Sequence, residues 1–469
     1  MENNNIKNLS TYDNYKISKI IFDTNHPTHW KIKQVKNSVI KKITDGPHVT
    51  PKMTDKGIPF LSVNNIQDNK IVFNDKIRYV SEEDANEYRK KTDIKKNDIL
   101  LVKQASIGKL AIVDTDKKIS IWSPLVQFRV NNKFIPKYLK YFMESNYYQS
   151  CLNFISTEST QKNIGMKDIE LIYNLCPSLP EQKAISLFLD KKTGLIDKKL
   201  EILKERKKLI LELEKSVINQ VVTKGLQSFD LDMNGEKIDF NNDNGLSDSD
   251  FNTYMNECGY KNSGVEWIGY ICNGWKISRL KDDVKLFHGY SFKEEDMGYS
   301  NDYLIKITQI QRNKIDLSKA LTIKKSNQFK KYRVVINDLL IALSGATSGK
   351  TGIYNLKENS FLNQRVAKIE SKKYSIKYLN YFFSLSSLTK QMYIESNITA
   401  QPNFTNKILD IYNINISKLE QNKIVSYLDK KTSQFKSQVS NIDKEIELLE
   451  EFRKTTINEV VTGKIKVVK

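Results

Sequence analysis

Glu181-Gln182 opens a stretch that runs on through Leu189-Asp190-Lys191-Lys192-Thr193 and closes at Ile218-Asn219-Gln220-Val221-Val222-Thr223. The chain writes it again 239 residues later, as Glu420-Gln421, Leu428-Asp429-Lys430-Lys431-Thr432 and Ile457-Asn458-Glu459-Val460-Val461-Thr462. That spacing far exceeds the ~20–50 residues of a solenoid unit, so a large module has been duplicated. The pairing continues upstream, where Lys137-Tyr138-Leu139-Lys140-Tyr141-Phe142 answers Lys377-Tyr378-Leu379-Asn380-Tyr381-Phe382 and Asn97-Asp98-Ile99-Leu100-Leu101 answers Asn337-Asp338-Leu339-Leu340-Ile341. Trp30-Lys31-Ile32 and Trp275-Lys276-Ile277 mark the two module starts.

The repeated stretches read as long helices. Leu189, Ile196, Leu203, Ile210 and Val217 fall at strict sevens with Leu200, Leu213 and Val221 beside them, which is a coiled-coil seam. Leu428, Phe435, Ile442 and Leu449 repeat the column with Val439, Phe452 and Val460 beside it, and Thr456 breaks it. An unbroken helix of about 45 residues is roughly 65 Å long, with Gly194 the weak point of the first. Each helix packing only on its own module is the alternative. So long a seam exceeds the face of a domain of ~150 residues, which favours pairing of the two helices with each other. Antiparallel pairing would place the modules at opposite ends of a rod.

The domain plan is then an N-terminal arm (1–29), a globular module (30–178), a long helix (179–226), a linker (227–262), a second module (263–416) and a second long helix (417–469). Residues 227–262 hold eight acidic residues against Lys237 and Lys261 amid Asn, Gly and Ser, the composition of a solvated, flexible linker. The modules read as short strands broken by Asn-Asp or Gly turns, such as Ile99–Val102, Val126–Val130 and Leu339–Leu343, each closing with a short helix. The fold class expected is α/β (α+β): two mixed modules separated by two long antiparallel helices in an internal pseudo-twofold repeat.

The chain has 469 residues, and 75 Lys plus Arg against 55 Asp plus Glu give a formal charge of +20. A surplus of that size points to a polyanionic partner. No apolar run approaches the roughly 18 residues of a membrane span, and Met1-Glu2-Asn3-Asn4-Asn5 lacks a basic-then-apolar signal, so a cytoplasmic protein is expected. Cys151, Cys176, Cys258 and Cys272 form no C-x-x-C pair, and the histidines give no zinc spacing, so no metal site is expected.

Catalytic motifs fail one by one. An adenine methyltransferase needs an Asn- or Asp-Pro-Pro-aromatic loop for the extruded base, and no two of the nine prolines are adjacent. Ser344-Gly345-Ala346-Thr347-Ser348-Gly349-Lys350-Thr351 imitates a phosphate-binding loop, yet Ser344 stands where the first glycine belongs, and Ala105-Ser106-Ile107-Gly108-Lys109-Leu110 at the equivalent place lacks the magnesium-binding hydroxyl. Glu181-Gln182-Lys183 has nuclease-like spacing, but beside Pro180 at a helix start the glutamate serves as a cap. His26, His29, His48 and His288 have no companion nucleophile motif, so no catalytic residue is assigned.

What remains is a basic surface with mixed polar loops. The candidate DNA-facing residues of the first module are Lys41, Lys42, His48, Lys103, Gln104, Ser106, Lys109, Gln161, Lys162 and Asn163. Those of the second are Tyr290, Lys293, Arg312, Ser344, Thr347, Ser348, Lys350, Gln401 and Asn403. Cations set affinity through phosphates, while Gln, Asn, Arg and His read base edges.

These features resemble the specificity subunits of type I restriction-modification systems over nearly the whole chain. The resemblance is carried by Asp45-Gly46-Pro47-His48-Val49-Thr50-Pro51 with Gly57-Ile58-Pro59-Phe60-Leu61, by Ser344–Lys350, by Leu179-Pro180-Glu181-Gln182 leading into Leu189–Thr193, and by Ser263-Gly264-Val265-Glu266-Trp267-Ile268-Gly269 before Trp275. Lys418-Leu419 replaces Leu-Pro before the second Glu-Gln, and His26-Pro27-Thr28-His29-Trp30 lacks the Glu-Trp-Ile-Gly lead-in.

The resemblance implies two target recognition domains, each reading one half of a bipartite sequence in double-stranded DNA. It also implies helices that set the gap between half-sites and dock two adenine-specific methyltransferase subunits, to which restriction-translocase subunits add. It implies no cofactor in this chain, with S-adenosylmethionine, ATP and Mg on the partner subunits. A component of a type IIB-like system cutting on both sides of its site, a self-contained enzyme, and a coiled-coil assembly protein are the alternatives.

Overall fold

Ile99–Val102 is apolar at every position, which suits a strand covered on both faces. In the computed structural model Ile99 and Leu101 enter one core with Leu110, Val126 and Phe128, while Leu100 and Val102 enter another with Ala111, Ile121 and Leu125. The structure describes residues 10–17, 25–74, 77–156, 163–229, 237–241, 246–311, 314–324, 327–396 and 403–467. Two units form, Met1–Glu205 with Ile442–Lys469 and Arg206–Asn441.

In the first unit an antiparallel sheet runs in the order Leu110–Ile112, Ile99–Val102, Leu125–Phe128, Thr44–Asp45. A smaller sheet pairs Ile58–Leu61 with Ser120–Ile121 in parallel and with Arg78–Val80 antiparallel. The second unit repeats both. Its first sheet runs Val284–His288, Val366–Ser371, Leu339–Ala342, Thr351–Ile353, and its second sets Asp302–Ile305 between Leu321–Thr322 and the parallel Asn359–Leu362, which also takes Arg333–Val334 on its far side. Gly46 and Gly289 answer each other where backbones nearly touch: a Cβ at Gly46 would lie 1.9 Å from the Ile121 carbonyl oxygen and one at Gly289 2.3 Å from that of Asn363.

The repeated motifs hold one another together. In the first unit Tyr141 donates to Asp190 Oδ1 at 2.9 Å, Lys137 pairs with Asp190 at 2.6 Å, and the Gln182 amide bridges Ile135 N and the carbonyls of Lys133 and Pro177. In the second unit Tyr381, Lys377 and Asp429 repeat the first cluster, and Gln421 bridges Ser375 N to the carbonyls of Lys373 and Ile416. Tyr-Leu-x-Tyr-Phe and Glu-Gln…Leu-Asp-Lys-Lys-Thr are thus two sides of one contact, made twice.

The long helices span Leu179–Lys224 and Lys418–Val461. The first continues unbroken through Gly194, because the ladder on both sides outweighs a cost of about 1 kcal/mol. Within the first unit Ile185 and Leu189 share a core with Val461, Val460 and Ile457, Asp197 meets Arg453 at 2.8 Å, and Lys199 meets Glu445 at 2.8 Å. Advancing along one helix retreats along the other, so they run antiparallel. In the second unit Ile218, Val221 and Val222 share a core with Ile424 and Leu428. Leu189, Ile196, Leu203, Ile210, Leu428 and Ile442 are buried, whereas Val217, Phe435 and Leu449 are half-buried. Leu213 and Phe452, read as flanks of the seam, are exposed instead.

The reading of 227–262 as a solvated linker needs correction over its described second half. Asp248–Glu257 is a helix capped by Ser247, Tyr260–Asn262 pairs with Tyr270–Cys272, and Phe251, Met255 and Tyr260 are buried in the core of the second unit. Three apolar side chains on one face and along the strand outweigh the surrounding acidity, which stays at the surface. The arm is also folded where described. Tyr15–Ile17 pairs with Asn25–Pro27, and Tyr15 Oη donates to the Gly463 carbonyl at 3.0 Å. No helix among the described residues is long and apolar enough to cross a membrane.

Candidate nucleic-acid interface

In both units the tip of the central strand turns sharply and is pinned to a distant loop. Ala105 and Gly345 occupy matching left-handed positions, at φ 63° and 74°, and the neighbouring Gln104 and Ser344 bridge to Asn163 and Asn403. The loops read as DNA-facing therefore do come together at one end of each sheet. Thr351 begins a strand rather than a helix, so the loop before it makes no phosphate cradle of the P-loop kind.

The first module carries a cleft of about 680 Å³ lined by Ser62, Asn64, Asn65, Ile66, Gln67, Asn74, Arg78, Lys109 and Trp122. Ile66–Gln67 in this lining pairs with Lys70–Ile71 in a hairpin whose turn needs positive φ at Asp68 and Asn69. The second module carries one of about 420 Å³ beside Asn403, lined by His288, Gln364, Arg365, Thr405, Asn406 and Lys407 among others. Among the described residues neither lining contains a carboxylate, so each concentrates donors and positive charge.

Of the expected residues, Lys109, Lys350, His48, Asn163 and Asn403 lie exposed at these ends, with Gln104 and Ser106 half-buried beside them. Several others serve the scaffold instead. Lys103 is buried, with Nζ 3.0 Å from Asp45, which also meets Lys91 Nζ at 2.5 Å and His48 Nε2 at 3.0 Å. Burial would raise the Asp45 carboxyl, but the hydrogen bonds and charges of Lys91 and Lys103 outweigh it and hold it below the ordinary aspartate value.

Ser344 and Ser348 are buried, and the Ser348 and Thr347 hydroxyls shape the turn, Ser348 Oγ donating to the Gly345 carbonyl and Thr347 Oγ1 to the Ile307 carbonyl. Tyr290 packs among Phe292, Phe329 and Tyr332. Lys293 is exposed, with Glu295 at 3.5 Å. Lys41 and Lys42 are exposed but precede Thr44–Asp45, toward the Val39–Val130 bridge and away from Trp122. Gln161, Lys162, Arg312 and Gln401 lie outside the described residues.

Sequence reasoning missed Arg78, Trp122, Gln67, Gln364, Arg365 and Lys407, which line the clefts. Asp68-Asn69 was the one local signal, marking a hairpin without saying what it faces. Among the described residues no group of three or more His, Cys, Asp or Glu side chains is placed to hold a metal ion.

Residues 27–212 and 273–448 match the family model described as the type I restriction modification DNA specificity domain. Among curated relatives, the type I restriction enzyme EcoBI specificity subunit of Escherichia coli is 30% identical over 28% of this chain and 27% of that protein. The type I restriction enzyme MjaVIII specificity subunit of Methanocaldococcus jannaschii is 23% identical over 80% of each. A solved chain from a study titled as the structural basis of complex assembly and conformational transition of the type I R-M system shares the fold at TM-score 0.64 and 13% identity, over 93% of this chain and 98% of that one. With both repeats matched over most of their length, the chain belongs to the type I restriction modification DNA specificity family.

Proposed function

We propose that this chain is the DNA sequence-specificity subunit of a type I restriction-modification complex, each recognition domain reading one half of a bipartite asymmetric target. The observation that carries this is one scaffold used twice, with different side chains around the two clefts. Equal scaffolds present the two readers alike; unequal side chains give unequal half-sites. The +20 charge supplies the sequence-independent part of binding. In this reading the chain catalyses nothing and works in the cytoplasm. S-adenosylmethionine, ATP and Mg belong to methyltransferase and restriction-translocase partners. The type I names of the relatives favour this over a system cutting on both sides of its site.

Two copies of one methyltransferase partner fit the helices. Leu209 and Leu213 in the second unit and Leu448 and Phe452 in the first are exposed, and the pairs stand 239 residues apart in the repeat. Each unit thus offers an apolar patch at the same place, of the kind that marks a protein interface. The paired helices would then set the spacer between half-sites.

Selection of duplexes from a randomised library by the full chain with its methyltransferase tests the reading. A two-part sequence should emerge, with affinity falling steeply as salt rises, and exchange of one module should change one half-site alone. Binding indifferent to sequence and salt would refute it.

A further inference from the structure

The internal repeat separates what both modules need from what only one needs. Leu61 and Ile305 are matched strand ends, because each accepts a backbone hydrogen bond from the residue after the parallel strand, Trp122 N at 2.9 Å and Asn363 N at 3.0 Å. One step back, Phe60 faces Arg78 across the antiparallel pair, and Leu304 faces Leu321. On the neighbouring strand Val102 N donates to the Lys109 carbonyl and Ala342 N to the Lys350 carbonyl, so the lysines correspond. The register therefore equates Lys109 with Lys350, Trp122 with Asn363, and Arg78 with Leu321. A cation is shared; the other two positions differ.

A residue present in both modules serves what both must do, which is to hold the phosphate backbone, and lysine does this as a point charge indifferent to base. A residue present in one serves what distinguishes its half-site. Arg78 is exposed and lines the 680 Å³ cleft, whose lining among the described residues holds no carboxylate. Its guanidinium is a planar fork of donors, and the base edge that matches such a fork is that of guanine, with two acceptors side by side. Leu321, at the same register, has no donor at all.

We propose that Arg78 is the specificity-determining residue of the first module and reads a guanine in its half-site, with Lys109 on the adjoining phosphate. This rests on the reading of the chain as a DNA-specificity subunit. The corresponding position in the half-site of the second module is then not selected as guanine through Leu321.

The full chain with its methyltransferase partner, presented with a randomised duplex library, tests the assignment. Wild type should enrich a guanine at one position of one half-site. Arg78→Ala should lose that preference, roughly ten- to a hundredfold, with the other half-site unchanged. Arg78→Gln should move the preference toward adenine. Lys109→Ala should weaken all sequences alike and lower the salt slope by about 1. Arg78 is exposed, so a thermal melt should confirm that both Arg78 variants stay folded. An unchanged selected sequence, or a loss spread evenly over all sequences, would overturn the assignment while leaving the two-part reading intact. A wild type that selects nothing would bring down that reading and the assignment with it.

Discussion

Arg453 lays its Nε 2.8 Å from Asp197 Oδ1 and turns Nη1 to Glu144 Oε2 at 3.4 Å, tying the long helices together within the first unit. Arg453 and Glu144 are largely withdrawn from water while Asp197 is half-exposed, so Arg453→Ala should cost roughly 2 kcal/mol in urea denaturation, with Lys140 still compensating Glu144. At the repeat positions the charges are reversed: Glu214 and Lys436 line one cavity of about 270 Å³ in the second unit. A first helix paired with a second copy of itself would set Asp197 against Glu214 and Lys199 against Arg206, and two second helices would set Arg453 against Lys436. Co-expressed half-chains with distinct tags should therefore recover the opposite half in preference to a like half. Equal recovery would show that these charges do not choose partners.

Asp45→Asn should be among the most damaging single changes in the first module. It leaves Lys103 buried without a counter-charge, a loss of about 3 kcal/mol. Because the folded carboxyl is held below its ordinary 3.8, its stabilisation is full above that value and lost as pH falls through the lower folded one. Urea midpoints of wild type and variant should converge below pH 4.

Gly194→Ala should stabilise the chain by about 0.5–1 kcal/mol. The helix is continuous there and an added Cβ meets nothing within 4 Å, so only the backbone entropy of glycine is removed. A lower melting temperature would contradict the open surroundings.

Lys224 gives a pH signature. Burial pushes its ammonium from the ordinary 10.5 down to about 8, although Nζ donates to the Ile268 and Tyr270 carbonyls at 2.7 and 2.5 Å. Between those values the unfolded chain holds a proton that the folded one has released. The contribution of Lys224 to stability should therefore rise with pH from about 8 to 10.5 and be gone once pH has fallen to about 8. Lys224→Met should lack this slope, read as urea midpoints at pH 7.5 and 9.5; parallel curves would refute the shift.

The exposed leucines allow partner stoichiometry to be counted. On the proposed docking of two methyltransferases, Leu209→Lys with Leu213→Lys should remove one copy from the complex, and Leu448→Lys with Phe452→Lys the other, each seen as a single-copy mass loss. Two retained copies in both double variants would move the docking surface elsewhere.

The repeat, the long helices and the two modules are legible in the linear chain because they rest on periodicity and on motifs that recur intact, such as Leu189-Asp190-Lys191-Lys192-Thr193 and Leu428-Asp429-Lys430-Lys431-Thr432. Periodicity is a local property, fixed by 3.6 residues per turn. Lys103 and Arg78 show where that legibility stops: both are cations beside apolar strand residues, yet one is buried against Asp45 and the other is open in a cleft. The acidic stretch before Trp275 misleads for the same reason, since net charge hides the three side chains that Phe251, Met255 and Tyr260 bury. Sequence by itself determined the elements and their duplication. Only the tertiary structure decided which polar side chains are paired away and which face solvent, because an ion pair between residues 58 positions apart, as Asp45 and Lys103 are, depends on how strands meet and not on any local pattern.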